Sequence, residues 1–377
     1  MRVAVFGAGY AGLTLARRLE RSLPDSADLL VVDERDTHLL QHLVHRVVRR
    51  PAVAEEITLS LLDLLDRATL VTDRVVDLDP EGGVATLADG GTLAYDVAGV
   101  CLGAATNYGG LDGVREHAIP LKRVEDARRM RERFPDGGRV VVGGAGLSGI
   151  QIAGELAALA RERGVDTEVL LIEQRPSVAP GFDAAFREAV AAELAERGVS
   201  IHTSTVVETA DASALHLDDG TAIEYDLLVW TGGIRGIDDV APERPQVRST
   251  LRHTDSTFVL GDAARVVDDS GTVVPASART ATAQARVAAR NVARLVEHRL
   301  DGSFDDFEPR LDRYADDRTA WVVTVGDGAV AQVGPSVLTG SAAKALKTGV
   351  GAGYLSSVGA VERAVEYVRE SVENEVS

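Results

Sequence analysis

The 377-residue chain holds one cysteine, three lysines and only 4% aromatic residues. Cys101 alone cannot close an intramolecular disulfide, so chemistry through a redox-active cysteine pair is excluded, and so is a cysteine-rich metal site. Its neighbours from Val97 to Leu102 form an apolar run, which predicts a buried strand cysteine. No stretch approaches the roughly 18 apolar residues that cross a bilayer. The N-terminus passes directly into a strand and lacks the apolar core and small-residue cleavage site of a secretory signal. The expected location is therefore cytoplasmic. Forty basic against 58 acidic residues give a net charge of −18, which excludes a broad electrostatic nucleic-acid binder. Arginine supplies nearly all the positive charge, since Lys122, Lys344 and Lys347 are the only lysines. Two origins fit this bias: adaptation to high salt, where a Debye length of about 3 Å at 1 M screens self-repulsion, or arginine-favouring codons of a GC-rich genome.

What is present in quantity is ordinary globular material, 45% hydrophobic and 26% charged, at a length suited to two or three domains. The chain contains one pattern twice. Arg2 to Phe6 is an apolar strand, Gly7-Ala8-Gly9-Tyr10-Ala11-Gly12 a turn, Leu13 to Leu19 a helical pattern, and Leu29 to Val32 a second strand that ends in Asp33. The copy runs from Arg139 through Val140–Val142, Gly144-Ala145-Gly146-Leu147-Ser148-Gly149, a helical stretch Ile150 to Leu159 and Val169–Ile172, ending in Glu173. Each copy closes on a similar tail: Asp89-Gly90-Gly91 leads to Tyr95-Asp96 and Leu102-Gly103-Ala104, and Asp219-Gly220 leads to Tyr225-Asp226 and Thr231-Gly232-Gly233. Repetition on this scale indicates duplicated domains, because solenoid repeats are only about 20–50 residues long. Beyond Thr257 the repetition stops. Phe258 to Asp262 is a short strand and turn, a helix is expected from Ala276 to Glu297, and the polar stretch Asp301 to Pro309 reads as a linker. A strand pair is expected near Ala320–Val325 and Val330–Val333, then a helical tail interrupted by a glycine-rich break at Gly349 to Gly353.

The glycine spacing carries a mechanism. In such a turn the first glycine makes the bend, the second lets backbone approach a pyrophosphate, and the third lets helix pack on strand. The helix N-terminus offers free N–H groups to the same phosphates. Asp33 and Glu173 follow the third glycines by 21 and 24 residues, the range for an acid that binds a ribose diol. Two such units imply two dinucleotides, one a held flavin and the other a diffusible nicotinamide. Glu173 would accept from a ribose 2′-hydroxyl and repel a 2′-phosphate, favouring NADH; Arg175 nearby works in the other direction. Asp262, after a glycine at a strand end, is placed to accept from the hydroxyls of a flavin's ribityl chain. The expected class is α/β: two Rossmann-like dinucleotide-binding domains, the second inserted into the first, plus a small C-terminal helical segment. The expected boundaries are 1–112 with 246–318, 113–245, and 319–377.

Several segments are more specific: Val32-Asp33-Glu34-Arg35-Asp36-Thr37-His38, Thr106-Asn107-Tyr108, Glu116-His117-Ala118 through Leu121-Lys122, Val229-Trp230-Thr231-Gly232-Gly233, and Val274-Pro275-Ala276-Ser277-Ala278. With the glycine motifs they resemble flavoprotein pyridine-nucleotide oxidoreductases, and among these the type II, non-proton-pumping NADH dehydrogenases. The resemblance implies FAD against Gly7, Gly9, Gly12, Asp33, Thr106, Asp262 and Ala278. It implies NADH against Gly144, Gly146, Gly149, Gln151, Glu173 and Gly232. Hydride would pass to flavin N5 and electrons onward to a quinone, with Gln284, Arg279 and Lys347 on the acceptor side. Two departures stand out. The family's A-Q-x-A-x-Q-Q segment is here Ala278-Arg279-Thr280-Ala281-Thr282-Ala283-Gln284, and Gln151 stands where many members carry a glutamate.

The tail pattern leaves three expectations open. Val361, Val365, Val368 and Val372 form a seam at helical spacing, which suits packing on the enzyme body, a homodimer contact, or peripheral attachment to the cytoplasmic face of a membrane. The altered 278–284 segment keeps a soluble NADH-dependent, diaphorase-like reductase with a protein or small-molecule acceptor as the alternative function. A flavoprotein NADH sensor with negligible turnover is a third reading. Sulfide:quinone oxidoreductase resembles these proteins in fold but needs several cysteines, so Cys101 alone excludes it.

Overall fold

The computed structural model describes residues 1–302, 308–316 and 320–376; the centre of the expected linker lies outside the described residues. Two five-stranded sheets share one design. The first has the order Thr257–Val259, Val97–Val100, Arg2–Phe6, Asp28–Asp33, Thr69–Thr72, and the second Ile119–Pro120, Leu227–Trp230, Gly138–Gly143, Thr167–Ile172, Val199–His202. Every pairing in both sheets is parallel. Val97–Val100 and Leu227–Trp230 are buried along their whole length, as expected of strands covered on both faces. In each unit a three-stranded antiparallel meander is inserted, Val75–Asp79 with Val84–Leu87 and Thr92–Ala94 before Val97–Val100, and Val207–Ala210 with Ala214–Leu217 and Ala222–Glu224 before Leu227–Trp230. The duplication read from the sequence is thus repeated in four strands of each sheet and in the meander; the edge strand Thr257–Val259 follows its unit, whereas Ile119–Pro120 precedes its own.

The helix Tyr10–Ser22 packs on the long helix Ala278–Leu300, which begins two residues later than the sequence pattern suggested. Ser277 sets that start, because its hydroxyl accepts from the Thr280 N–H at 3.2 Å while the Thr280 hydroxyl accepts from the Ser277 N–H at 3.0 Å. The helix Leu147–Arg163 packs on the C-terminal sheet at Gly154, where a Cβ would stand 2.4 Å from the Gly326 nitrogen.

The C-terminal region corrects the expectations in three respects. Its sheet has three strands, Ala320–Val325, Gly328–Val333 and Ser336–Thr339. The glycine run does not break the tail, because one helix spans Gly340–Ser357. Gly351 serves helix packing instead: a Cβ there would meet the Tyr367 ring at 2.6 Å, so its absence lets the last helix, Val361–Val376, approach. Finally, the valine seam does not pack on the body. Val361, Val365 and Val368 are 58%, 66% and 40% exposed, and it is Ala364 that faces inward. The side chain of Val372 lies outside the described residues.

Candidate functional site

Both glycine turns adopt the geometry their spacing predicts. Gly7 and Gly144 have φ of +91° and +96°, a region that disfavours any residue with a Cβ. A Cβ on Gly12 would lie 1.7 Å from the Gly7 carbonyl oxygen, and one on Gly149 would lie 1.9 Å from that of Gly144. Gly9 and Gly146 differ: a Cβ at either would meet nothing within 4 Å. Each middle glycine therefore opens onto free space at the start of its helix. Neither helix, Tyr10–Ser22 nor Leu147–Arg163, has a side-chain cap on its N-terminus. Uncapped N–H groups facing an open cradle suit a pyrophosphate.

The two acids stand alike. Asp33 accepts from the N–H groups of Ala8 at 2.6 Å and Arg35 at 3.0 Å; Glu173 accepts from those of Ala145 at 2.8 Å and Arg175 at 2.9 Å. Burial raises the Asp33 pKa against the lowering effect of those N–H donors. Each carboxylate oxygen keeps a lone pair beyond its backbone bond, which a ribose hydroxyl can use. Around the first turn a cleft of about 730 Å³ runs from Gly7 and Gly9 past Asp33 and Gly103 to Thr106 and Lys122. That is within the span of about 300–1,000 Å³ usual for cofactor sites. Cys101 is buried behind the turn, its backbone oxygen 2.5 Å from where a Gly7 Cβ would be, and burial drives its thiol pKa far up. It is a packing residue. Gly232 plays the matching part in the second turn, with its Cα 2.9 Å from a Cβ placed on Gly144. Thr106 is buried and pairs with Ile234, joining the tails of the two halves.

Asp262 sits in the turn Gly261–Ala263, which is held from two sides. Arg244 Nε donates to the Asp262 carbonyl at 2.7 Å, and the Gly261 N–H donates to Gln284 Oε1 at 2.8 Å. Gln284 is buried, so it acts on the turn that presents Asp262. Lys122 lines the cleft; desolvation lowers its pKa, and the nearby Asp262 carboxylate opposes that effect. Arg279 is exposed beside the partly buried Ala278 and donates to the Ala320 carbonyl at 3.3 Å. Lys347 is buried under the C-terminal helices, where Nζ donates to Thr324 Oγ1 at 2.7 Å; burial first, and then the Arg46 charge, lower its pKa to about 7. The three residues expected on the acceptor side thus have separate partners.

Gln151 joins a group the sequence reading overlooked. Its amide nitrogen lies 3.4 Å from Thr324 Oγ1 and 3.5 Å from His45 Nε2, and His45 Nε2 is itself 3.1 Å from Thr324 Oγ1. Thr324 accepts from the Lys347 ammonium and is also hydrogen-bonded to His45 Nε2. His38 Nδ1 donates to the Ala8 carbonyl at 2.8 Å, which leaves Nε2 to accept from the Tyr354 hydroxyl at 2.9 Å. The Tyr10 hydroxyl is hydrogen-bonded to His42 Nδ1, and the Tyr10 ring packs on Tyr354 with centroids 4.7 Å apart. Burial lowers the pKa of all three histidines, His38 to about 4 and His42 to about 3, and nearby positive charge pushes His42 and His45 further. The only sequence signal was the spacing 38, 42, 45.

A prediction follows for the fully buried His38. Its folded pKa lies below the usual value of about 6.5, so between pH 6.5 and 4 the unfolded chain binds more protons. Stability is complete above that window and falls as pH drops through it, by about 3 kcal/mol from His38. Guanidinium unfolding at pH 7 and pH 4.5 measures this. His38→Asn keeps a donor to Ala8 but does not titrate, so its stability is expected to change less between the two pH values.

Comparison with known proteins agrees with this geometry. A family model described as pyridine nucleotide-disulphide oxidoreductase matches residues 1–285. A type II NADH:quinone oxidoreductase of Staphylococcus epidermidis is 26% identical over 269 residues, 62% of this chain and 65% of its own length. The chain therefore spans slightly less than two thirds of that relative. Among solved structures, NDH2 from Plasmodium falciparum in complex with NADH superimposes with a TM-score of 0.82 at 12% identity, covering 98% of both chains. The sulfide:quinone oxidoreductase of Aquifex aeolicus superimposes with a TM-score of 0.77 at 16% identity over 95% of this chain and 91% of its own. At these identities the structural matches show the fold.

Proposed function

Because the chain belongs to the pyridine nucleotide-disulphide oxidoreductase family, we propose that it is an FAD-dependent NADH dehydrogenase that passes electrons to a quinone without pumping protons. The observation that carries this reading is the pair of open glycine cradles, each with an acid whose spare lone pairs face a ribose. The curated relative's name supports the acceptor class. Residues 1–112 with 246–318 form the FAD unit, 113–245 the NADH unit, and 319–377 the C-terminal contact region. FAD, when bound, supplies the redox chemistry: hydride in from NADH, electrons out to the acceptor.

The chain's own groups position and stabilise. The backbone around Gly7, Gly9 and Gly12 takes the FAD pyrophosphate, Asp33 its ribose, and Asp262 the ribityl hydroxyls, with Thr106 and Ala278 alongside. Gly144, Gly146, Gly149 and Gly232 do the same for NADH, with Glu173 on the ribose and Gln151 toward the nicotinamide. An amide at 151 orients without accepting a proton. Gln284 is a positioning residue that keeps Asp262 in register. Lys347, with a pKa near neutrality, can hold at Nζ a proton that quinone reduction consumes. Arg279 adds positive charge on the same side. A quinone resides in the bilayer, so this reading places the exposed valines on the cytoplasmic membrane surface; among the described residues no helix is long and apolar enough to cross it. A second subunit seated on the same valines is the alternative occupant.

Anaerobic stopped-flow tests the proposal. NADH is expected to bleach the purified holoprotein, and a short-chain quinone to restore its colour. Lys347→Met should slow the second step by at least about tenfold and leave the first unchanged. Reduction of ferricyanide but of no quinone would establish the diaphorase-like reading. A flavin that stays oxidised for minutes under excess NADH would leave only a sensor.

A further inference from the structure

Beneath the C-terminal helices a cavity of about 120 Å³ concentrates positive charge in a chain whose net charge is −18. Arg46, Arg49, Arg50, Lys344 and Lys347 line it, facing the carboxylates of Glu155 and Asp327. Two of the chain's three lysines are in this wall. Both carboxylates pair with Arg49, itself in the wall. Arg49 lies 2.9 Å from Glu155 and 2.6 Å from Asp327, with Glu162 at 3.3 Å, and Asp327 also pairs with Arg161 at 2.9 Å. No carboxylate among the described residues lies within ion-pair distance of Arg46, Lys344 or Lys347. Lys347 is only 8% exposed; its Nζ donates to the Thr324 hydroxyl, and the Glu155 charge acts on it from beyond ion-pair distance. His42 and His45, which face the same group, are neutral near pH 7 and add nothing to this charge. A partly enclosed cavity in which Arg46 and Lys344 have no ion-pair carboxylate among the described residues, with hydroxyls at Thr324 and Thr348, has the character of an anion site.

We propose that this cavity binds an oxyanion of the phosphate class, through Arg46 and Lys344, with Lys347 at its inner edge. Its volume takes a phosphate group with some water. A planar arginine fork and a lysine point charge together are suited to phosphate oxygens. Two sources carry that chemistry: free phosphate, and the head group of an anionic lipid. The second gains from position, since Lys344 and Lys347 lie on the helix that also bears the exposed Val350, next to the exposed Val361 and Val365 of the last helix. Neither source depends on the identity of the electron acceptor.

Two measurements on the full holoprotein test this, at about 0.15 M salt, where charges beyond about 8 Å are screened. The first is calorimetric titration with inorganic phosphate against chloride at matched ionic strength. The second is flotation with phosphatidylglycerol or phosphatidylcholine vesicles. Saturable phosphate binding weakened at least about tenfold by Arg46→Gln and by Lys344→Gln, but not by Arg21→Gln on the distant surface, supports the site. Flotation confined to phosphatidylglycerol, lost in Lys344→Gln and kept in Lys344→Arg, identifies the lipid as the source; flotation equal in all variants identifies free phosphate. Phosphate binding that ignores both substitutions overturns the proposal. So does the absence of phosphate binding together with flotation that Lys344→Gln leaves unchanged. Flavin reduction by NADH, unaltered in each variant, serves as the check on folding.

Discussion

Gly9→Asp is expected to yield a folded but colourless protein, and Gly146→Asp a yellow protein that NADH cannot bleach. The two substitutions are equivalent in chemistry and nearly so in local geometry. Gly9 and Gly146 have φ of −69° and −71°, values open to any residue, and neither has a neighbour that a Cβ would strike. The fold therefore accepts the side chain. What it places in each cradle is a carboxylate at an uncapped helix N-terminus, where a pyrophosphate would otherwise lie. An aspartate there caps the helix and repels the phosphates, which stabilises the protein while removing the ligand. Loss of flavin affinity by more than about a hundredfold is expected for Gly9→Asp, and a comparable loss of NADH affinity for Gly146→Asp, since several charge-assisted bonds of about 1.5–3 kcal/mol each disappear. Absorbance of the purified proteins and anaerobic NADH titration read the two outcomes. Flavin retained in Gly9→Asp and lost in Gly146→Asp would reverse the cofactor assignment of the two halves.

Gly12→Ala would be a poorer probe. Its methyl group would meet the Gly7 carbonyl at 1.7 Å, so the turn itself would have to move. The contrast shows why these motifs can be read from sequence. The roles of Gly7, Gly9 and Gly12 depend on contacts within one strand-turn-helix unit, and the unit's spacing encodes them. The acid at the end of the next strand is equally local, because adjacent parallel strands bring Asp33 beside Ala8.

Other residues act only through distant partners. His38 meets Tyr354 across 316 positions, and His45 meets Thr324 across 279. Nothing in the 38–45 segment announces a tyrosine or threonine contributed by the far end of the chain. Gln284 was legible as a family residue, but its bond to the Gly261 N–H depends on how the long helix docks against the first sheet. The glycines at 349–353 misled for the opposite reason. Composition alone suggests a break, yet the helical hydrogen bonds continue, and the space left by Gly351 is filled by a ring from the next helix. The valine seam was legible as a seam. Only the docked structure shows that the last helix turns Ala364 inward and leaves the valines outside.

Glu173→Ala is expected to weaken NADH far more than NADPH and so to erase most of the discrimination between them. Glu173 is buried at the end of its strand, and each of its oxygens already takes one backbone N–H, from Ala145 and from Arg175. These bonds fix the carboxylate in one orientation before any ligand arrives, so its remaining lone pairs are preorganised for a ribose diol. A hydroxyl gains a charge-assisted bond there, whereas a 2′-phosphate meets a fixed negative charge that cannot swing away. Removing the side chain deletes both effects. NADH loses about 1.5–3 kcal/mol, a rise in KM of roughly 10- to 100-fold, while NADPH loses a repulsion and is expected to bind as well or better. The substitution also frees the Ala145 N–H beside the second cradle, which a phosphate can use. Glu173→Gln separates the contributions. It removes the charge and keeps one acceptor oxygen, but turns its amide nitrogen toward one of the two backbone donors, so NADPH should improve while NADH falls by no more than in the alanine variant. Steady-state kinetics with both nucleotides at fixed acceptor decide the matter. Selectivity unchanged in both variants would remove Glu173 from the ribose and leave the preference to be set elsewhere in the second cradle.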